Sequence, residues 1–336
     1  MDSEKQSEME SNKMKVIIHP KYGPPEVLQL STLEKPVPKE HEALIKVKAT
    51  TVNRTDCAIL RAKPFIMRWV TGFLKPVKII PGTDFAGVIE AVGKDVVSFK
   101  AGEKVFGFDD SGLSSSAEYL TLSADKALTT IPKNVSYEQA AASSEGAHYA
   151  YNMLNKVNLT SGQKALVNGA SGAIGSAALQ FLKYFGLDVV AVCGTKNVEL
   201  IKSLGANQVM DYTREDFTQT DQKFDFIFDT VGKSSFAKCK SLLNPGGVYL
   251  SSELGWMAQN IFFALFTPIF GKKKVIFPIP SDIKGSLLFI KKLMEEGKFK
   301  PVIDRQYPLE QIAEAYRYVE KGQKTGNVII TMDAGS

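Results

Sequence analysis

Cysteine and histidine are both scarce in this 336-residue chain, with three of each. Cys57, Cys193 and Cys239 lie far apart and form no CxxC pair, which argues against a disulfide framework and for a reducing, cytoplasmic setting. His19, His41 and His148 are neither clustered nor at ligand spacing, so a tetrahedral Cys/His metal site cannot be assembled from these parts. An excess of one charge is missing too. The 41 Lys and Arg are scattered among 36 Asp and Glu, net +5, with no basic stripe of the kind that tracks a phosphate backbone. Nucleic acid is therefore not an expected partner. Nor is there an apolar run of the roughly 20 residues that a membrane-spanning helix needs, so no transmembrane segment is expected. The nearest thing, Ile261 to Phe270 (IFFALFTPIF), contains Pro268 and is followed by Lys272 to Lys274. It reads as a helix against the core or a subunit interface, or as a lipid-facing patch or a wall of a substrate site. The first residues carry Asp2, Glu4, Glu8 and Glu10, unlike a secretory or transit signal, and a disordered tail is expected over 1–13.

What is present is the composition of a soluble globular protein, 44% hydrophobic and 23% charged, long enough for two domains. From Met14 to about Ile131 the apolar and β-branched runs are short and separated by Gly and Pro, as in Lys15–Ile18, Leu44–Ala49, Gly87–Val92, Lys104–Phe108 and Glu118–Leu122. This predicts a small, mostly antiparallel β domain. Ser136–Ala142 and Ala147–Val157 then carry helical periodicity, with Ser136 as N-cap. Beyond Gly162 strand and helix alternate. Strands are expected at 165–168, 189–192, 208–210, 224–228, 248–251 and 275–278, with helices at 174–185, 198–204, 234–242 and 257–269. Six such strands predict a parallel sheet covered on both faces, over 138–275. Helices at 283–296 and 309–320 and a strand at 327–331 are expected to return to the first domain, making it discontinuous over 14–137 and 276–336.

One turn carries chemistry. Residues 165–175 read ALVNGASGAIG, in which Gly169, Ala170, Ser171, Gly172, Ala173, Ile174 and Gly175 form an AxGxxG turn after an apolar strand and at the head of a helix. Gly172 lets backbone approach a pyrophosphate, Gly175 lets helix pack on strand, and the helix N-terminus offers free N–H groups. Ala170 stands where the first glycine of the usual fingerprint would be. After the second strand, an NAD site places an Asp or Glu for the ribose diol; this chain has Cys193-Gly194-Thr195-Lys196-Asn197. Lys196 can pair with a 2′-phosphate and Thr195 can donate to it, which points to NADPH. Lys196 also reads as a solvated lysine opening a helix. Tyr212, after the third strand, is placed to meet the adenine side. Short-chain dehydrogenases are set aside, because none of the eleven tyrosines has a Lys four residues on and about 165 residues precede the turn.

Several ordered segments resemble the medium-chain dehydrogenase/reductase superfamily: TVNRTDCAILR (51–61), IPGTDFAGVIEAVG (80–93), AGEKVFGF (101–108), VNGASGAIGSAALQ (167–180), FDFIFDTVG (224–232), LNPGGVYL (243–250) and the stretch 297–330. The resemblance runs from about Lys15 to Thr331. It implies an α/β protein with a discontinuous, β-rich GroES-like catalytic domain and a six-stranded parallel Rossmann domain. The zinc-dependent members need a Cys in the first motif and a GHE triplet in the second. Here Asn53 and Gly82-Thr83-Asp84 stand in those places, the third ligand position falls near Ser144 or Glu145, and the cysteine-rich structural lobe is absent. No zinc is expected, and the resemblance is to the zinc-free quinone oxidoreductase-like branch.

Without a Lewis acid, hydride addition suits a quinone, an enone or a 2-alkenal, where charge spreads over a conjugated oxygen. By resemblance Asn53 lies at the nicotinamide edge, where its amide binds cofactor or substrate, and Thr83 lines the site. Asp56 either orients neighbours or merely caps a turn. Val231 and Asn327 complete the cofactor contacts. Many quinone reductases carry a Tyr where Ala58 stands, which weakens quinone itself as substrate. Two alternatives stay open: a 2-enoyl thioester reductase, for which Arg61, Lys63, Arg68 and Lys75 would be a basic entrance or an ordinary solvated face, and a non-enzymatic NADPH-binding protein with a membrane or RNA role. Relatives of this branch pair through the edge of the nucleotide-binding sheet. A homodimer through residues 275–278 and the preceding helix, covering Phe262, Phe263 and Phe266, is the expectation.

Overall fold

Two kinds of sequence pattern give two kinds of sheet. The computed structural model describes residues 12–65, 67–255, 258–270 and 272–332. The expected tail lies almost wholly outside these, as does Met257. The chain divides into two compact units: Met1–Glu145 with Ile283–Lys291 and Ile303–Ser336, and Gly146–Asp282 with Lys292–Val302.

The first unit opens with β1 (Lys13–Ile18) and β2 (Gln29–Glu34), an antiparallel pair, followed by β3 (Glu42–Val52). In β3 buried residues alternate with more exposed ones only over Ile45–Ala49, where Lys46 is exposed and Lys48 half-buried; Ala43 to Ile45 and Ala49 to Val52 are buried throughout. Helices α1 (Arg54–Arg61) and α2 (Met67–Thr71) precede β4 (Asp84–Val92), β5 (Lys104–Phe108), β6 (Tyr119–Ser123) and β7 (Leu128–Thr130). Helix α3 (Tyr137–Ala142) closes this stretch, and α4 (Glu145–Leu154) begins at its last residue, the rest of that helix belonging to the second unit. Ser136 does cap α3, in a reciprocal box with Gln139.

The second unit contains β8 (Lys164–Asn168), α5 (Ala173–Tyr184), β9 (Asp188–Cys193), α6 (Val198–Ser203), β10 (Gln208–Asp211), β11 (Phe224–Asp229), α7 (Phe236–Cys239), β12 (Leu243–Ser251), α8 (Gln259–Phe270) and β13 (Lys274–Ile276). All six strands are parallel, in the order β10-β9-β8-β11-β12-β13. Chain direction across the sheet reverses between β8 and β11, which is where ligands bind in doubly wound sheets. Val189 to Cys193 are all buried, as expected for a strand covered on both faces. β13 ends at Ile276, two residues short of the expected limit, because Pro278 has no N–H for a ladder. The helix expected over 234–242 is α7 followed by a 3-10 turn, Lys240–Leu242.

After α9 (Ile283–Glu295) come β14 (Ile303–Pro308), α10 (Ile312–Glu320) and β15 (Asn327–Thr331). β14 was not expected, since IDRQYP is polar and ends in proline; it is an edge strand, where both features are tolerated. The sheet of the first unit runs β14-β15-β3-β4-β5-β7, with β6 also paired to β3. Its core gathers Ile45, Phe85, Ile89 and Val105 with Tyr316 and Ile330 from the returning segment.

Candidate active site

In the second unit the glycine turn lies between β8 and α5. Gly169 adopts φ +82, and a Cβ there would meet Val231 Cβ at 2.8 Å, so glycine is required on both counts. A Cβ on Gly175 would lie 2.2 Å from the Gly169 carbonyl oxygen, which fixes how closely α5 approaches the turn. Ala170, in the first glycine's place, is fully buried. Gly172 is the N-cap of the twelve-residue α5 and supplies no side-chain acceptor, so the first N–H groups of the helix, over Ala173 to Gly175, stay available to an anion. Ser171, half-buried, lies within this turn. The neighbouring strand end is braced around Asp229, which accepts from Asn168 Nδ2 at 3.0 Å, Tyr249 Oη at 2.8 Å and the Gly232 amide at 3.0 Å. Val231 follows directly, its own amide 3.4 Å from the same carboxylate.

At the end of β9, Gly194 leaves room that a Cβ would lose to the Tyr212 hydroxyl, 3.0 Å away. Lys196 and Tyr212 are exposed. Thr195 is not idle, however. Its hydroxyl donates to Asp211 at 2.5 Å and lies 2.8 Å from the Thr213 hydroxyl. Asp211 ends β10, opposite Cys193, and also meets Arg214 Nε at 3.4 Å. The Thr195 hydroxyl holds this carboxyl below its ordinary range, assisted by Thr213 and Arg214, so it is ionised at neutral pH. A carboxylate thus stands beside the loop that follows β9 after all, on the third strand rather than the second, and already paired.

In the first unit, antiparallel pairing of β3 with β4 brings the residue after β3 to the residue before β4. Asn53 Nδ2 donates to Thr83 Oγ1 at 2.9 Å, both side chains buried. Asn53 is also the N-cap of α1: its Oδ1 accepts from the Asp56 amide at 2.8 Å, and Asp56 Oδ2 accepts from the Asn53 amide at 3.0 Å. Asp56 is therefore a capping-box carboxyl, with Oδ1 buried and unpartnered. Burial, and then the nearby Asp84 and Glu145 charges, raise its pKa well above the carboxylate range. Asp84 accepts from the Thr51 amide at 2.7 Å, and the Thr51 hydroxyl also donates to it. Burial still pushes Asp84 up to about 6. Asn327 lies in this unit as well, one step beyond the Val328–Val52 pair of β15 with β3, and so at Asn53's end of the strand.

Two ionisable residues belong to this neighbourhood that residue patterns did not single out for a role. Glu145, at the head of α4, is buried and accepts from Thr55 Oγ1 at 2.7 Å. Its pKa is pushed up to about 8, by burial first and Asp84 next, against the pull of Thr55 and Lys324. Lys324 is lowered by burial, opposed by Glu145. The only sequence signal was the location of Glu145 near a third metal-ligand position; Lys324, in a Gly-Gln-Lys-Thr-Gly loop, gave none.

This donor set does not fit zinc. The Asn53 amide oxygen caps a backbone N–H and one of its two Nδ2 hydrogens goes to Thr83, and none of the residues is a Cys or His. His41 does meet Glu40 and Asp95 at the surface, with ligand atoms within 4.8 Å of one another, but all three are exposed and the set has one nitrogen and no thiolate. The glycine turn, in contrast, fits a dinucleotide pyrophosphate: its cradle has no room for a Cβ at Gly169 or Gly175, and its helix is uncapped by side chains.

Comparison with known proteins agrees. An alcohol dehydrogenase GroES-like domain model matches residues 39–133, and a zinc-binding dehydrogenase model matches 204–330. The chain is 34% identical over 95% of its length to 2-methylene-furan-3-one reductase of Solanum lycopersicum, covering 79% of that protein. It is 31% identical over 94% of its length to a chloroplastic NADPH-dependent alkenal/one oxidoreductase of Arabidopsis thaliana, again covering 79%. The quinone oxidoreductase structure from Coxiella burnetii superposes with a TM-score of 0.83 at 25% identity, covering 96% of this chain and all of that one. With its GroES-like unit, its six-stranded parallel sheet and no Cys or His at the motif positions of zinc ligands, the chain belongs to the zinc-free, quinone oxidoreductase-like branch of the medium-chain dehydrogenase/reductase superfamily, a family of oxidoreductases.

Proposed function

We propose that the protein is an NADPH-dependent, zinc-independent reductase acting on a conjugated carbonyl: a quinone, an enone or a 2-alkenal. The observation that carries this reading is the Asn53–Thr83 pair, a neutral hydrogen-bonding couple at the motif positions where zinc-dependent relatives hold metal ligands. Such a couple can orient a carbonyl oxygen but cannot take up the full charge of an isolated alkoxide, and conjugation removes that need. The nicotinamide supplies hydride when bound. The protein binds pyrophosphate at Gly169–Gly175, meets the 2′-phosphate with Lys196, and orients the acceptor with Asn53 and Thr83. Three named relatives support the substrate class: a furanone reductase, an alkenal/one oxidoreductase and a quinone oxidoreductase.

The test is NADPH oxidation, followed by absorbance, against a benzoquinone, a naphthoquinone, a 2-alkenal, an enone and a saturated aldehyde. Turnover confined to the conjugated acceptors and faster with NADPH than NADH supports the reading. Equal turnover of the saturated aldehyde sinks it. A thioester substrate has less support, because two members of its basic entrance are engaged locally: Arg61 pairs with Glu320, and Arg68 lies over the rings of Tyr22 and Phe65. For assembly we propose a homodimer through β13, an edge strand, and α8, whose Phe262 and Phe266 are 57% and 44% exposed. Light scattering at the mass of one chain at micromolar concentration would refute it. A cytosolic setting is proposed from the cysteine pattern; among the described residues no helix is long and apolar enough to cross a membrane.

A further inference from the structure

The hydride reading leaves one proton unaccounted for. A reduced enone or alkenal needs a proton on its α-carbon, and neither Asn53 nor Thr83 is an acid. The first unit holds a carboxyl suited to the task. Glu145 is only 8% exposed, and its Oε1 is 2.7 Å from the hydroxyl of Thr55. Thr55 is itself only partly buried, lies two residues after Asn53 and sits in the first turn of α1. A buried carboxyl therefore communicates outward through a hydroxyl on the same short segment that carries the acceptor-orienting amide.

We propose that Glu145 is the proton reservoir of this site, that Thr55 passes the proton to the acceptor, and that the natural acceptor is accordingly an α,β-unsaturated carbonyl rather than a quinone. This rests on the hydride-transfer reading above. Hydride forms a C–H bond at the β-carbon, and the C=C electron pair moves toward oxygen to give an enolate. The α-carbon then takes the Thr55 hydroxyl proton, Thr55 takes the proton of the Glu145 carboxyl, and Glu145 is left as a carboxylate whose charge Lys324 favours. Water returns the proton after product leaves. The substrate gains one hydride and one proton, and NADPH loses two electrons. A quinone, reduced at oxygen, can collect its protons from water and has little use for the relay.

The groups around Glu145 make it suitable as an acid near neutral pH. Asp84, Asp56 and Asp110 disfavour its ionisation, Lys324 and the Thr55 hydrogen bond favour it, and Arg54 acts through its repulsion of Lys324. Burial dominates, so the carboxyl carries its proton at pH 7.

The experiment compares Glu145→Gln, Thr55→Val and Thr55→Ser with the wild type on a 2-alkenal and on a benzoquinone, from pH 5.5 to 9.5. The expected result for Glu145→Gln is a loss of about 100-fold in alkenal kcat, the scale of a positioned general acid, against a loss of only about threefold with benzoquinone. The wild-type fall in alkenal kcat above about pH 8 should vanish in the variant. Thr55→Val should share the alkenal defect and Thr55→Ser should restore it, with NADPH affinity nearly constant throughout. An equal loss on both acceptors, or an unchanged pH profile in Glu145→Gln, overturns the relay and leaves a structural carboxyl. A wild type that oxidises NADPH with neither acceptor fails the hydride reading itself, and the relay falls with it.

Discussion

The Thr195 hydroxyl donates to the Asp211 carboxylate across neighbouring ends of β9 and β10, at 2.5 Å. The side chain expected to greet a 2′-phosphate is therefore already committed, and a negative charge stands beside it. Removing that charge should favour the phosphorylated cofactor. Asp211→Asn is expected to tighten NADPH binding about threefold or more while leaving NADH nearly unchanged, as read by calorimetry at low salt. Weaker NADPH binding in this variant would mean that the carboxylate instead organises Thr195 and Arg214 for the phosphate.

Lys196 is exposed and follows Thr195 in the same loop. Lys196→Ala should weaken NADPH about tenfold, the scale of one charge-assisted contact, with little effect on NADH. An unchanged NADPH dissociation constant would remove Lys196 from the site.

Gly175 has no space for a side chain, with the Gly169 carbonyl 2.2 Å from its would-be Cβ. Gly175→Val should lower stability by about 1–3 kcal/mol through overpacking and abolish measurable cofactor binding. Thermal unfolding with and without NADPH separates the two effects: the wild-type shift in Tm on adding NADPH should disappear.

Asn53 both caps α1 and holds Thr83. Asn53→Ala should cost roughly 1 kcal/mol as a lost cap. It should also reduce kcat/KM for a conjugated acceptor by at least about tenfold, while NADPH affinity changes less. Thr83→Val tests the second half of the pair: a similar loss of kcat/KM, with a stability loss of about 1–3 kcal/mol from the unpaired buried Asn53 amide, is the expected outcome, and full activity would show that Thr83 only lines the wall.

Glu145 also predicts how stability depends on pH. Its folded pKa, about 8, lies above the ordinary carboxylate value of 4.5, so between these limits the folded state binds more protons than the unfolded state. Its contribution to stability is therefore fully present below about pH 4.5 and is lost as pH rises through 8. Glu145→Gln should flatten the decline of Tm between pH 5 and 8 relative to wild type. An identical slope in the two proteins would place the folded pKa of Glu145 in the normal range.

Local pattern was enough for much of the fold. The strand β5 and the strand β15 were legible to the residue, and the glycine turn was legible because AxGxxG, an apolar strand before it and a helix after it are consecutive. Boundaries slipped where side chains compete with a ladder, as at Pro278, and β14 was hidden because a polar edge strand has no apolar alternation to read. At the candidate site the sequence named Asn53, Asp56 and Thr83 and left two roles open for Asp56; folding makes Asp56 the capping-box carboxyl of α1, while the buried Asn53 amide donates to the buried Thr83 hydroxyl.

By itself, then, the amino-acid sequence determined whatever depends on neighbours along the chain: the two kinds of sheet, the glycine turn between β8 and α5, and the lack of thiol and imidazole at the motif positions. Only the tertiary structure decided which polar groups distant in sequence meet one another. Asp211 reaches Thr195 because β10 pairs with β9, and Glu145 meets Thr55 and feels Lys324 because β3, β15 and the head of α4 are folded into one unit. The protonation of a carboxyl depends on desolvation and on charges a few ångströms away, and folding sets both.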